Sequence, residues 1–321
     1  MKCSDTMANF IASKLDVVNT IKNWFPAYTH DGQVVCPHHE DKNASLHINP
    51  EGKALCHGCG WKASNIVDLY AKMEGKSYLE ARKELYDQVV DAIPASKYVA
   101  YQTALFKNAA PQDYLDDRGV RSDTVKAFRL GYDPSTHRIT IPILDQFSTC
   151  VNIRMAAFQK SRDSKCKMIN SRGHGEVRLY PEWLAIKEDK LLLVEGEWDC
   201  LIGRQIGLPT VTWTGGATSW SRDYEWLFRG KDVMVCYDAD DAGRRGGDAA
   251  LISLARIAAN TKAFMSERTE FTTGKDLNDW HLHSPSIVLQ LKQEFERWSP
   301  QVMDVRVQSG ICPCCGRAYD E

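Results

Sequence analysis

No run of apolar residues in the 321-residue sequence approaches the roughly 20 that a helix needs to cross a bilayer, so a helical membrane span is excluded. The opening stretch, MKCSDTMANFIASKLD, lacks a basic end followed by an apolar run, and no secretory signal peptide is expected there. No Gly-x-x-x-x-Gly-Lys-Ser/Thr occurs, which excludes a P-loop motor within these residues. An excess of one charge is lacking too. The 40 Lys and Arg stand against 42 Asp and Glu, a net −2, and whole-chain charge selects no partner. With 43% hydrophobic and 26% charged residues the composition is that of a folded globular protein, long enough for two or three domains. The expectation is a cytoplasmic protein with no membrane partner. In that reducing setting, cysteines spaced in pairs point to metal rather than to disulfides.

Cysteine is not scarce, and it is placed. Residues 34–60 read VVCPHHEDKNASLHINPEGKALCHGCG. Cys36-x-x-His39 and Cys56-x-x-Cys59 have the spacing of two zinc knuckles, because a two-residue gap lets one turn point both ligands at one ion. His38 would leave a one-residue gap, and His57 is squeezed between two ligands. With His47 they compete for the fourth place, which goes to His39. Four protein ligands leave no open position, so the expected Zn²⁺ is structural; free thiols that merely pair are the plain alternative. ASLHIN and KALCHG read as strands. Ser64 is the candidate N-cap of a helix carrying Ile66, Leu69, Tyr70 and Met73 at helical spacing. Residues 88–112 carry mixed signals and read as a linker with some helix.

Downstream, three apolar runs each end in acid. KLLLVEGEWD leads to Glu195, KDVMVCYDAD to Asp238-x-Asp240, and the strand TKAFMSE is followed by GKDLND with Asp276. Strands alternating with helical patterns imply a parallel sheet, whose carboxyl ends share one crevice. Glu195, Asp238, Asp240 and Asp276 should converge there, and carboxylates so close call for Mg²⁺ or Mn²⁺. A lone Asp-x-Asp at the head of a helix is more often a cap; the set in this order is what points to metal. Between Arg154 and Arg178, seven basic residues face two acids, a strip suited to a polyanion or simply a solvated face.

LLLVEGEWD, VCYDADDAG and KDLND resemble the three acidic motifs of a TOPRIM domain. With the Cys-His-Cys-Cys ribbon ahead of them, the chain is similar to DnaG-type DNA primases and to the primase half of phage primase–helicases. YLDDRGVRSDTVKAFRLGYDP, RITIPILDQFSTCVNIRM and KMINS resemble the first part of that family's RNA polymerase domain, and the likeness runs over 14–282. The fold class expected is α/β: a small zinc ribbon, then a catalytic domain with a mainly parallel TOPRIM-like sheet flanked by helices. The expected divisions are a zinc-ribbon template-binding domain over 1–92, a linker over 93–112, a basic part of the polymerase domain over 113–185, a TOPRIM part over 186–295, and a tail over 296–321.

The resemblance implies a primase making short RNA primers on single-stranded DNA from NTPs, with a replicative helicase as a further partner. It implies Glu195 as catalytic acid or base and Asp238, Asp240 and Asp276 as catalytic metal ligands, Glu195 joining them around Mg²⁺ or Mn²⁺. Arg154 and Lys167 become nucleotide or template contacts; Asn170, Lys275 and Arg118 are further candidates for that role, and Trp61, just past the second knuckle, is the candidate for stacking on a base. Trp198 and Trp213 read as core. TWTGGAT departs from the family's small-residue turn, Asp241 and Asp279 are extra acids, and Cys312, Cys314 and Cys315 form half a knuckle or an unstructured end. The other readings are a TOPRIM nuclease or topoisomerase-like cleaver, and a zinc-plus-TOPRIM recombination mediator without turnover.

Overall fold

The computed structural model describes residues 6–29, 32–158, 166–264 and 274–298, and the chain divides into two compact units, Met1–Asp91 and Ala92–Glu321. The cysteines of the tail lie outside the described residues.

In the first unit, helices α1 (Thr6–Lys14) and α2 (Val17–Lys22) precede four short strands, β1 (Gly32–Val34), β2 (Leu46–Ile48), β3 (Ala54–Cys56) and β4 (Lys62–Ala63). They pair antiparallel in sequence order. The side-chain period of two decides the faces: Val34, Leu46, Ile48, Ala54, Cys56 and Ala63 are buried, whereas Gln33, Leu55 and Lys62 are exposed. Helices α3 (Ile66–Glu74) and α4 (Tyr78–Val89) follow. The cap of α3 is Asn65, not Ser64. Asn65 is extended (φ −166°, ψ 178°), which lets its Oδ1 accept the Asp68 N–H at 2.9 Å, while the Ser64 N–H donates to the Asp68 carboxylate at 2.7 Å. Ser77 and Glu80 close the start of α4 as a reciprocal capping box.

The second unit begins with α5 (Ala95–Phe106), α6 (Ala109–Asp117) and α7 (Ser122–Ala127), so 88–112 is largely helix. An antiparallel sheet follows: β5 (Gly131–Asp133), β6 (Arg138–Leu144), β7 (Cys150–Ala157) and β8 (Met168–Asn170), paired in that order. Next come β9 (Leu179–Tyr180), α8 (Glu182–Ala185), β10 (Lys190–Val194), α9 (Glu197–Gln205), β11 (Thr210–Trp213), a 3-10 turn at Arg222–Phe228, β12 (Asp232–Cys236), α10 (Asp241–Leu254), β13 (Asn260–Ala263), α11 (Leu277–His283) and α12 (Pro285–Arg297). These strands form a second sheet in the order β13-β12-β10-β11-β9, parallel except at β9. Leu191 to Val194 and Val233 to Cys236 are buried without alternation, as strands covered on both faces must be. From β10 the chain moves to one side at β11, then crosses to the other side at β12. Such a reversal leaves a crevice at the carboxyl ends, and Val194 pairs in register with Cys236, so the residues after both strands emerge side by side.

Of the buried acids of this unit that lie outside the crevice, Asp133 and Asp145 among them, one carries a strong pH signature. Glu182 in α8 is 3% exposed, and its carboxyl is pushed up to about 8 by burial first and by the Asp145 charge next, against Arg178. The folded state therefore keeps a proton that the unfolded chain releases near 4.5, and the stability it confers is lost as pH rises toward 8. Glu182→Gln should flatten a decline on the order of a few kcal/mol between pH 5 and 8.5, read from urea midpoints.

Candidate functional site

Cys36 follows β1 and Cys56 ends β3, the two neighbours of β2, so the sheet itself brings the knuckles together. The ligand atoms of Cys36, His39, Cys56 and Cys59 all lie within 4.8 Å of one another. Cys36 Sγ is 3.9 Å from Cys59 Sγ, and Cys56 Sγ is 3.9 Å from His39 Nδ1. A tetrahedral ion with Zn–S bonds of about 2.3 Å sets its sulfurs ~3.8 Å apart, so this set fits Zn²⁺. Burial opposes ionisation of Cys56, but the Ser45 hydroxyl and the N–H groups of Cys59 and Gly58 outweigh it and bring the thiol down to about 6. Burial pushes Cys36 up to about 11. A Cβ on Gly58 would stand 2.6 Å from His39 Nε2, so the second knuckle needs glycine there. The other histidines are elsewhere: His38 stacks on Trp61 with centroids 4.4 Å apart, His47 lies on β2, and His57 is exposed.

Asp41 fastens the first knuckle. Its Oδ2 accepts the Cys36 N–H at 2.8 Å, the Ser45 N–H at 3.1 Å and the Ser45 hydroxyl at 2.7 Å, while its Oδ1 lies 3.8 Å from His39 Nε2. These bonds, the Cys36 N–H first, hold its carboxyl below the usual range. Carboxylates behind a metal ligand typically carry 10–100-fold of metal affinity. Asp41→Ala should weaken zinc retention by roughly that factor in a chromogenic chelator competition.

At the sheet crevice the carboxylate oxygens of Asp199, Asp238 and Asp276 lie within 4.8 Å of one another. Asp238 follows β12, and Asp276 caps α11 by accepting the Asp279 N–H at 2.7 Å. Asp199, in the first turn of α9, is 7% exposed and accepts the Asn278 N–H at 3.0 Å. Sequence reasoning missed Asp199. An acid in a first helical turn reads as a favourable partner of the helix dipole. The available signal was its spacing four residues after Glu195. Glu195 stands beside the trio, its Oε2 3.4 Å from the Asp238 backbone N–H. Asp240 is outside the trio and caps α10, accepting from Ala242 and Gly243 N–H at 3.1 and 2.9 Å.

The electrostatics follow from crowding. Burial first, then Asp276 and Asp238, raise Asp199 well above the carboxylate range. Asp238 and Asp276 are raised, again by burial first. Glu195 is pushed up to about 7 by burial and by Asp238. Asp240 is instead depressed, by the Gly243 N–H and by Lys275. Lys275 Nζ sits 2.9 Å from both Asp238 and Asp240, and these bonds raise its own affinity for a proton. An ammonium between two carboxylates marks where positive charge is wanted. A close set of hard oxygen donors fits a divalent cation of the Mg²⁺ or Mn²⁺ class.

The basic strip divides. Arg154 is 9% exposed, donates from Nε to Glu197 Oε1 at 2.6 Å and from Nη1 to Asn170 Oδ1 at 3.0 Å, and faces Asn170 in the β7–β8 register. Arg178 donates to the Tyr224 hydroxyl and to Glu176. Two members therefore hold internal pairs, while Lys167 is exposed just before β8. Lys160, Arg162 and Lys165 lie outside the described residues. Trp61 is half-buried between His38 and Lys72, whose Nζ is 5.8 Å from the ring centroid. Trp213 is core at 1% exposure; Trp198 is half-buried beneath the Arg118 guanidinium.

Residues 3–100 match the CHC2 zinc finger family and residues 192–281 the Toprim-like family. A DNA primase of Aquifex aeolicus (strain VF5) is 29% identical over 280 residues, taking in 67% of this chain and 55% of the relative. A DNA primase of Haemophilus influenzae is 26% identical over 306 residues, taking in 72% of this chain and 50% of the relative. The chain thus spans about half the length of the relatives it matches. The crystal structure of the zinc-binding and RNA polymerase domains of the Aquifex aeolicus primase superposes with a TM-score of 0.51 at 20% identity, covering 91% of this chain and 85% of that one, a likeness of fold. Among the described residues no helix is long and apolar enough to cross a membrane. Residues that match the CHC2 zinc finger family thus stand ahead of residues that match the Toprim-like family, and the chain resembles DNA primases in sequence and the DnaG-type primase in fold.

Proposed function

We propose that this protein is a cytoplasmic DNA primase that makes short RNA primers from NTPs on a single-stranded DNA template, with a replicative helicase as partner. The observation that carries the reading is the convergence of Asp199, Asp238 and Asp276 at the point where the strand order reverses. Bound there, with Glu195 and Asp240 alongside, Mg²⁺ or Mn²⁺ would neutralise triphosphate charge and acidify the attacking 3′-hydroxyl. Glu195, whose environment favours a proton near neutrality, takes up or orients the hydroxyl proton. Lys275 turns from the carboxylates to the incoming phosphates, and Lys167 meets backbone charge. Arg154 and Asn170 keep the β7–β8 pair registered against α9. The zinc unit holds template, and the Trp61–His38 stack offers a face for a base.

The test is incorporation of labelled NTPs on unprimed single-stranded DNA, in Mg²⁺ and then Mn²⁺. Short RNA products support the reading. Metal-dependent cutting of the template without any nucleotide requirement replaces it with a nuclease, and binding without synthesis or cutting replaces it with a mediator.

A further inference from the structure

In the sequence Arg118 is a candidate nucleotide or template contact, but its surroundings assign it other work. Arg118 closes α6, and Gly119 follows with φ +73° so close to α11 that a Cβ there would lie 3.0 Å from the His281 ring. Arg118 and Asn278 grip each other twice. The guanidinium Nη1 donates to Asn278 Oδ1 at 3.0 Å, and Asn278 Nδ2 donates to the Arg118 carbonyl at 2.8 Å. Asn278 is 6% exposed, and its own N–H is the group that donates to Asp199 Oδ1. It also lies two residues after Asp276, in the first turn that Asp276 caps.

The same turn is fastened to α9. Gln205 Nε2 donates to the Gly119 carbonyl at 2.7 Å, and the Arg121 N–H donates to Gln205 Oε1 at 2.7 Å. The guanidinium itself is fixed in plane. It lies 4.8 Å from the centroid of Trp198 and 5.2 Å from that of Tyr114, and Nε donates to the Tyr114 hydroxyl at 2.6 Å. One turn thus ties together the helix that carries Asp199 and the helix that Asp276 caps. A flat, forked cation held on two aromatic faces is a rigid spacer, which lysine cannot imitate.

We propose that Arg118, acting through Asn278, is a positioning residue that sets the separation of Asp199 and Asp276 and so preorganises the cation site. The proposal rests on reading the crevice as a divalent-cation centre. It concerns a distance fixed before DNA or nucleotide arrives, and its test uses neither for the main readout.

Mn²⁺ binding to the zinc-loaded protein is measured by calorimetry or by loss of the free-ion EPR signal, without DNA or NTPs. Arg118→Gln should weaken Mn²⁺ roughly tenfold, as loss of a group that orients a ligand does. Asn278→Ala should do the same, and the double variant should be no weaker than the weaker single one, because both remove one connection. Single-stranded DNA affinity and its salt slope should be unchanged. Unchanged Mn²⁺ affinity overturns the proposal; joined to a salt slope reduced by about 1, it makes Arg118 a phosphate contact instead. Arg118→Lys guards against misfolding, since it keeps the charge and an apolar stem over Trp198. With wild-type melting it must still bind Mn²⁺ more weakly, or the proposal falls. If the wild type shows no Mn²⁺ binding that Asp238→Asn abolishes, the cation reading fails and takes this proposal with it. That result is distinct from a loss confined to the Arg118 comparison.

Discussion

Asp238→Asn should reduce unprimed RNA synthesis by more than about 10²-fold while leaving the fold and the zinc content as they were. The bound follows from groups that only hydrogen-bond to a metal ligand, whose removal already costs about 10–100-fold; a group that holds the ion directly is worth more. The substitution is nearly isosteric, and β12 ends before it, so the buried run Val233 to Cys236 has no reason to move. What changes is charge: Asp238 supplies one of the three clustered carboxylates and one of the two partners of Lys275. Synthesis that survives at wild-type rate would remove the crevice from the chemistry.

Asp199→Asn separates charge from shape in the same trio. Its amide oxygen can still accept the Asn278 N–H, so the hydrogen bond survives while the buried negative charge goes. A carboxyl raised by burial and by two neighbouring acids is one whose ionised form opposes folding at neutral pH. Without divalent cation the variant should therefore melt higher than wild type, by about 2–4 °C for each 1 kcal/mol of repulsion relieved in a unit of this size. Added Mn²⁺ should stabilise wild type and not the variant, since only a state that binds the ion gains from it. A lower melting temperature without metal would mean that Asp199 is held for structure rather than for cation binding.

The parallel sheet and the zinc knuckles were legible because each rests on a short-range rule. Unbroken apolar runs at Leu191–Val194 and Val233–Cys236 can be satisfied only where both faces are covered, and a Cys-x-x-Cys gap prescribes a turn. Glu195, Asp238 and Asp276 were placed at strand or helix ends by the same logic. The rest depended on three-dimensional partners. Asp199 becomes a member of the trio only because α11 arrives to bond it through Asn278, nearly eighty positions away. Arg154 and Lys167 look alike in the sequence, yet one is buried against Glu197 and the other exposed, a distinction that no local pattern contains. The Ser64-to-Asn65 shift in the α3 cap is of a third kind. Both residue types cap well, and the backbone angle of a single position decides between them.

Cys56→Ser should abolish zinc binding and unfold the first unit while the second stays folded. The strands there are two or three residues long, and strands so short do not stand without support. A structural zinc in a small peptide supplies about 10–16 kcal/mol of folding free energy, more than a small unit's net stability. Serine cannot replace the thiolate, and Cys56 is also where the Ser45 hydroxyl, the Gly58 and Cys59 N–H groups and His39 Nδ1 converge, so its loss strips four contacts from one knuckle. Amide exchange should become fast over 46–63 and stay slow over 191–194, where the strand is fully buried. If the first unit serves to hold template, initiation on bare single-stranded DNA should fall much further than extension of a primer already paired. Equal losses would mean that the zinc unit supports the fold of the enzyme rather than its choice of start. Zinc retained at the wild-type level would mean that His47, His57 or another side chain completes the site, and that four atoms within 4.8 Å are not by themselves a ligand set.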